Sequence, residues 1–481
     1  MSKIVLCTIN ARYIHSAFGL RYLYANMGDL RQETVIREFT LEVWPADIAE
    51  QLLSESPEII GFGVYIWNLE QISRVVGLLK TIKPDIKIIL GGPEVSYEWD
   101  SLPVVSIADY VITGQADLYF AEVCRQLIQD RSPTTKILAS PLPDLESVVF
   151  PYGHYTDEDI ANRVIYVEAS RGCPFKCEFC LSALDKTTWD FDLDAFLREM
   201  QMLHDRGARR FKFVDRTFNL HIDSAVAILE FFLKHLDEQL FLHFEVIPDR
   251  LPDRLRDLLA RFPAGSMQLE VGIQTFNAEV QSLISRRQNR EKTVSNLYWL
   301  RQHSHVHIHA DLIVGLPGED IESLGRSFDE LVALRPQEIQ VGMLKRLRGS
   351  PISRHTKAYQ MRYNPAPPYN ILSTGCIDFP TMQRLGRFAR YWDMIANSGR
   401  FGTSLPLVLG DAPFDRFLSL SDWLYQRTGQ LHRIALKRLF GLLWGCLTSR
   451  LGVHPDAAGD ALNKDYAASG LKGKYIPDTE Y

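Results

Sequence analysis

Long apolar runs, charge of one sign and cysteines are all scarce in this chain of 481 residues, and each shortage excludes something. The longest strongly apolar stretch towards the far end, 439–447, is about half of what a bilayer span requires, so no membrane segment is expected. The apolar run at 4–9 is too brief for a secretory signal and reads as a first strand. A cytoplasmic location is therefore expected, the compartment that keeps thiols reduced. A formal net charge of −6 leaves no basic excess to neutralise phosphates, which argues against a nucleic-acid partner. The hydrophobic share of 46% and the charged share of 23% are those of a soluble globular chain, long enough for two or three domains.

Of 7 cysteines, four (Cys7, Cys124, Cys376, Cys446) stand alone in segments that read as core strand or helix. The other three, Cys173, Cys177 and Cys180, have C-x3-C-x2-C spacing, with Phe179 before the last. A structural zinc site needs four protein ligands, normally with a second Cys or His pair at short spacing, and none is visible. Three thiolates suit a cubane iron–sulfur cluster in which one iron stays open to a non-protein ligand. No second cysteine group of that kind exists.

Three blocks follow along the chain. Residues 1–130 alternate strands expected at 4–9, 34–39, 59–64, 86–90 and 110–113 with helical patterns at 46–54 and 69–81. That alternation implies an α/β, doubly wound parallel, Rossmann-like sheet, whose ligands sit at the carboxyl ends of the strands. Gly61-Phe62-Gly63-Val64, Gly91-Gly92-Pro93-Glu94 and Gly114-Gln115-Ala116-Asp117 fall at such ends. They are either tight strand-to-helix turns or places where a ligand approaches the backbone. A linker is expected at 131–162, where Pro133, Pro141, Pro143 and Pro151 interrupt regular structure.

Residues 163–360 repeat strand then helix six times, with strands expected at 164–168, 210–214, 241–247, 267–271, 306–314 and 338–344. The pattern implies a partial (β/α)6 barrel of the TIM type, with active residues at the carboxyl ends of its strands. The cysteine loop follows the first strand. Asp215 and Asn219 follow the second, where they either cap a helix or face a ligand. Glu245 lies on the third strand, and Glu270, Gly272 and Gln274 on the fourth. These carboxylates either accept from ligand hydroxyls or pair with barrel arginines. Arg286 is either a site residue or a helix-start ion pair. His305, His307 and His309 alternate on the fifth strand; residues on one strand face spread along the sheet, so no metal triad is expected. His15 reads as a loop residue. Residues 361–481 are expected to be mainly helical, at 382–396, 413–427 and 432–450, with their aromatic stripes in the core.

C-x3-C-x-aromatic-C after a strand, with Asp311-Leu312-Ile313-Val314-Gly315-Leu316-Pro317-Gly318-Glu319 on the fifth, resembles the radical SAM superfamily. The resemblance implies a [4Fe-4S] cluster on Cys173, Cys177 and Cys180, with S-adenosyl-L-methionine (SAM) chelated at the open iron and cleaved reductively to a 5′-deoxyadenosyl radical. It implies cofactor contacts for Phe179, Asp215, Asn219, Glu245, Glu270, Gly272, Gln274, Arg286 and Gly315. In the first block, Leu90-Gly91-Gly92-Pro93 and the D-x-V-x-x-G-x5-F pattern of 109–120 resemble the cobalamin-binding domain that precedes many radical SAM domains. Gly91, Gly92 and Gly114 are then implied at cobalamin. The base-off D-x-H-x-x-G motif is absent, so no axial histidine transfers, and the loop 65–68 is left to face the lower side of the corrin. The last block resembles the helical extension of a subset of these proteins. The reaction implied is C-methylation of a small molecule or peptide, supplied with electrons by a flavodoxin or ferredoxin. The alternatives are a radical cyclisation or rearrangement, and an iron–sulfur and cobalamin sensor without turnover.

Overall fold

The computed structural model describes residues 3–185 and 187–471. The first sheet contains β1 (Ile4–Asn10), β2 (Thr34–Thr40), β3 (Ile59–Gly63), β4 (Lys87–Gly91), β5 (Tyr110–Thr113) and β6 (Ile137–Ala139), all parallel in the order β2-β1-β3-β4-β5-β6. Every residue of β1 is buried, as a strand covered by helices on both faces requires. Val5, Cys7 and Ile9 join one apolar cluster and Ile4 and Leu6 the opposite one. The strand order reverses between β1 and β3, which opens a crevice at their carboxyl ends.

The segment expected to be a linker also carries regular structure. Ile137–Ala139 pairs with Val111–Thr113 and extends the sheet by a sixth strand. Pro133 and Pro141 flank this strand rather than interrupt it, so no ladder hydrogen bond is lost. Further on, helix Asp157–Asn162 starts in a capping box between Thr156 and Asp159. Asp159 and Glu38 both pair with buried Arg21, at 2.8 and 2.6 Å, which ties the connector to the first sheet.

The second unit begins with β7 (Ile165–Val167) and an antiparallel ribbon of β8 (Ser170–Gly172) and β9 (Thr188–Asp190) that brackets the cysteine loop. β10 (Arg210–Phe213), β11 (Phe241–Val246), β12 (Met267–Gln274), β13 (His307–Val314) and β14 (Glu338–Met343) complete an open parallel barrel, in the sequential order from β14 back to β7 without β8 and β9. One face of each strand packs under the helices: Leu242, Phe244, Leu269, Val271, Ile308, Ala310 and Leu312 are all in the main core. The opposite face departs from the apolar layers usual in such barrels. Register brings Glu245, Glu270, His309 and Glu338 to one level across β11 to β14, with His243, Gln268 and His307 beneath them.

The carboxyl-terminal region has a short ribbon of Arg362–Tyr363 with Ile371–Ser373, then helices Phe379–Ile395, Leu405–Leu409, Pro413–Thr428, Leu436–Ser449 and Pro455–Ala468. Most of its aromatics are core, as read from their spacing, although Phe379 and Tyr425 are exposed. Phe328 of the last barrel helix, Ile321–Leu334, sits 5.0 Å from Phe388, 4.7 Å from Trp392 and 5.9 Å from Phe414, centroid to centroid. Gly325 makes room for that contact, since a Cβ there would lie 2.8 Å from the Phe414 ring. The region thus shares one apolar core with the barrel.

Candidate active site

The chain enters the cysteine loop through Gly172, at φ +87°, where a Cβ would stand 2.2 Å from the Thr187 carbonyl oxygen; only glycine fits directly before Cys173. Cys173, Cys177 and Cys180 line one cavity of about 240 Å³ together with Phe175 and Phe179. Burial raises the Cys173 and Cys177 thiols, and the Arg286 guanidinium donates to Cys177 Sγ at 3.5 Å. Among the described residues no three His, Cys, Asp or Glu groups converge as a single ion would require. Three thiols around one cavity fit a cubane, in which each thiolate takes a different iron.

The same cavity is lined by Glu245, Glu270, Gly272, Gln274 and Arg286 from the barrel mouth. It also holds two residues not expected at the cofactor, Arg216 and Asp311, the second of which opens the fifth-strand motif. Arg216 pairs with Glu245 at 3.0 Å. Glu270 accepts from His243 at 2.9 Å; burial opposes its charge, but His243 and Lys212 outweigh burial and lower its carboxyl to about 2. Asp311 Oδ1 lies 3.2 Å from His309 Nε2, and His309 Nδ1 lies 3.2 Å from Glu338 Oε2. Burial works against the His309 imidazolium, yet these two carboxylates push the ring up to about 10. His307 Nε2 reaches the same Glu338 oxygen at 3.4 Å, so the alternating histidines serve ion pairs inside the barrel, and His305 falls before β13.

The cavity wall leaves polar atoms without protein partners. Gln274, at φ +69°, has a buried Oε1 with no hydrogen bond, and Arg286 Nε has none either. A Cβ at Gly272 would stand 2.5 Å from Gln274 Nε2. Unsatisfied acceptors and donors beside a thiol cluster suit a zwitterionic ligand with hydroxyl groups, and SAM is one.

Three residues expected at the cofactor do not line this cavity. Asp215 is buried and turned towards β7 and β8, accepting from Ala169 N at 3.1 Å and Ser170 Oγ at 2.6 Å; burial pushes its carboxyl up to about 7. Asn219 donates to the Ile247 and Arg250 carbonyls at 2.9 and 2.6 Å and accepts from Ile247 N at 2.7 Å, which fixes the turn after β11. Gly315, at φ +88°, packs against the carboxyl-terminal region, where a Cβ would meet Ile371 at 2.7 Å. Asp215 is taken up by Ala169 N and Ser170 Oγ, Asn219 by backbone, and the space beside Gly315 by the Ile371 side chain.

At the carboxyl ends of the first sheet, a cavity of about 160 Å³ is lined by Gly19, Gly61, Gly63, Gly91, Gly92 and Gly114, with Tyr65, Asp117 and Phe120. A Cβ at Gly61 would stand 2.7 Å from the Phe120 ring, and one at Gly92, φ +107°, would stand 2.5 Å from the Val64 carbonyl oxygen. At Gly61 and Gly92 that space is filled by protein, whereas Gly91 and Gly114 meet nothing nearer than 3.7 and 3.6 Å, so the backbone at these strand ends is open to a bulky flat ligand, cobalamin included. It offers no imidazole. His15 instead places Nδ1 2.7 Å from the Tyr166 hydroxyl on β7. Of the loop 65–68, Tyr65 faces the cavity and stacks on Trp67 at 4.5 Å, whereas Asn68 is fully buried and donates to Ile9 O and Gly63 O.

A third cavity, of about 300 Å³, lies between the two units. It shares Gly19 and Asp117 with the glycine cradle and Arg216 with the cysteine cavity. Arg171, two residues before Cys173, crosses the boundary here: it pairs with Asp117 at 3.0 Å and Glu168 at 2.8 Å and lies over the Tyr22 ring at 4.6 Å.

Comparison with known proteins agrees with this layout. Residues 167–331 match the Radical SAM superfamily, 4–124 the B12 binding domain, and 357–479 a protein family of unknown function, DUF4080. Among curated proteins, an uncharacterized methyltransferase of Pyrococcus horikoshii is 23% identical over 44% of this chain and 50% of its own length. The anaerobic magnesium-protoporphyrin IX monomethyl ester cyclase of Rubrivivax gelatinosus is 22% identical over 63% and 59%. The cobalamin-dependent radical SAM methyltransferase TokK of Streptomyces tokunonensis is 22% identical over 63% and 49%. The chain thus spans about half the length of these curated relatives. Among solved structures, the radical SAM methyltransferase TsrM of Kitasatospora setae, with cobalamin and a [4Fe-4S] cluster bound, superposes with a TM-score of 0.62 at 16% identity, over 98% of this chain and 100% of that one.

Proposed function

This chain belongs to the radical SAM superfamily and carries a B12-binding domain in front of its barrel, and from that premise we propose that it is a cobalamin-dependent methyltransferase acting on carbon in the cytoplasm. The observation that carries the reading is the line of three cavities, from the glycine cradle through the gap between the units to the cysteines, joined by Gly19, Asp117 and Arg216. A methyl carrier on the first sheet and a radical generator in the barrel must face a common substrate, and the middle cavity lies between them. TokK and TsrM, whose names state methyl transfer, support the same reading.

Cys173, Cys177 and Cys180 would hold the cluster; Glu245, Glu270, Gly272, Gln274 and Arg286 would hold SAM, with Phe179 beside it; Gly91, Gly92 and Gly114 would hold cobalamin. When bound, these groups supply a one-electron cleavage of SAM and a methyl group for transfer. The chain itself orients and encloses. Arg286 donates to the Cys177 sulfur, Arg216 borders both the cysteine cavity and the gap, and Phe175 and Phe179 add apolar wall beside the cysteines. A flavodoxin or ferredoxin supplies the electron. Among the described residues no helix is long and apolar enough to cross a membrane.

The test is anaerobic reconstitution with iron, sulfide and hydroxocobalamin, followed by SAM and a strong reductant. Retained cobalamin together with 5′-deoxyadenosine and S-adenosylhomocysteine is the expected result. The cyclase relative covers as much of the chain as TokK does and favours a second reading, ring formation without methyl transfer. In that case 5′-deoxyadenosine forms and S-adenosylhomocysteine does not. Bound cofactors without SAM cleavage would leave a sensor.

A further inference from the structure

Glu178 lies between two cluster-loop cysteines and takes no part in the chemistry above, yet its side chain is 4% exposed and all its polar groups are engaged. Its amide donates to the Ile284 carbonyl at 3.0 Å and its own carbonyl accepts from Ile352 N at 2.9 Å. Oε1 accepts from Ser285 Oγ at 2.5 Å and pairs with Arg354, and Oε2 lies 2.8 Å from His355 Nε2. A carboxylate is buried at such cost only where partners repay it. Here the partners come from two other segments: 284–286, after helix Ala278–Leu283, and 351–355, beyond β14.

Each segment leads somewhere. Ser285 stands at φ +55°, a left-handed conformation that serine seldom adopts without outside support. The next residue is Arg286, which donates to Cys177 Sγ at 3.5 Å and to the Gly272 carbonyl. In the other direction, His355 meets the Tyr359 ring edge-on at 5.6 Å. The Tyr359 ring lies against Gly318, and its carbonyl accepts from Gly375 N at 2.8 Å. The cluster loop is therefore bolted to the carboxyl-terminal region through one buried carboxylate.

We propose that Glu178 is a positioning residue that holds Ser285, and through it Arg286, against the Cys177 sulfur, so that it sets the reduction potential of the cluster and makes the 351–375 segment a strut for the cluster loop. The inference rests on reading the three cysteines as cluster ligands. A donor on a ligating sulfur favours the reduced cluster and raises its potential. Loss of the Glu178 charge alone would also raise the potential, through space. Loss of the Arg286 contact would lower it. The two routes differ in sign, and the sign decides between them.

The experiment uses the full chain, reconstituted anaerobically, as wild type, Glu178→Gln, Ser285→Ala, Arg286→Gln and the Glu178→Gln/Arg286→Gln double variant. Iron and sulfide content are measured, and the cluster is titrated redox-wise by electron paramagnetic resonance. In Glu178→Gln and Ser285→Ala, iron stays at the wild-type level while the ratio of reduced to oxidised cluster at fixed potential falls about tenfold, about 59 mV for one electron. The lowering caused by Glu178→Gln is absent in the Arg286→Gln background, where only the through-space rise from the lost charge remains. A rise in potential in the Glu178→Gln single variant, or an equal shift in both backgrounds, overturns the proposal. Should Glu178→Gln fail to hold iron, Ser285→Ala decides, since it removes one hydrogen bond and leaves the carboxylate on His355; an unchanged potential there overturns it. Wild type that takes up no cluster refutes the functional reading instead.

Discussion

Glu319, the last residue of the D-x-I-x-G-L-P-G-E element, should contribute measurably to how the stability of this protein varies with pH. Its side chain is almost wholly buried, 1% exposed, and only one oxygen is served: Oε1 accepts from Thr275 Oγ1 at 2.6 Å and from Ser323 Oγ at 3.2 Å, while Oε2 has no partner. Burial raises the carboxyl from 4.5 to about 7, with the two hydroxyls opposing. At 1.36 kcal/mol per pH unit, that rise corresponds to about 3 kcal/mol. The folded state binds the proton more tightly than the unfolded chain, so this group's contribution is fully present below about pH 4.5, is lost as pH rises towards about 7, and changes no further above that. Glu319→Gln keeps the acceptor for Thr275 and places a neutral donor where the acid proton sits. At pH 5 the variant should lie within about 1 kcal/mol of wild type, the net worth of one hydrogen bond. At pH 8 it should be the more stable protein by about 2 kcal/mol, most of the ionisation cost that wild type carries there. Urea unfolding followed by circular dichroism at both pH values measures this. Parallel pH dependences in the two proteins would show that folding leaves the proton affinity of Glu319 unchanged and would remove it as a source of pH dependence.

Three further outcomes are expected. Arg171→Met strands Asp117 and Glu168, whose side chains are 9% and 10% exposed, and should cost about 3–5 kcal/mol and weaken the seam between the units; thermal unfolding within about 1 kcal/mol of wild type would show the pairs to be idle. Gly61→Ala drives a Cβ to 2.7 Å from the Phe120 ring, an overpacking worth about 1–3 kcal/mol, and should lower the cobalamin retained after gel filtration; full retention would remove Gly61 from the cradle. Asp215→Asn, because Asp215 faces β7 and β8 rather than the cysteine cavity, should leave SAM affinity within about twofold by anaerobic equilibrium dialysis; a loss of about tenfold, 1.4 kcal/mol, would return Asp215 to the cofactor.

Much of the layout was legible in the residues. Unbroken apolar runs such as Ile4–Asn10 mark strands covered on both faces, and all eleven strands expected in the first two blocks occur within a residue or a few of their places. The strand at Ile137–Ala139 was not legible, because three residues among prolines carry no periodic signal and pair only because β5 offers a free edge. The orientation of Asp215 and Asn219 was not legible for a related reason. A polar residue after a barrel strand can turn into the mouth or back onto backbone, and both turn back, to Ala169 and Ser170 and to Ile247 and Arg250.

The cysteine spacing, the glycines at the strand ends and the helical and strand periods were determined by the sequence by itself, since each depends on neighbours within a few positions. Which side chains share a cavity was decided by tertiary structure alone. Arg216 and Asp311 reach the cysteines only through the register of β10 to β13, Arg171 meets Asp117 only once the two units dock, and Glu178 finds Ser285 and His355 across 107 and 177 residues of chain. Contacts of that separation leave no mark in a local pattern, because what selects them is the shape of the assembled barrel.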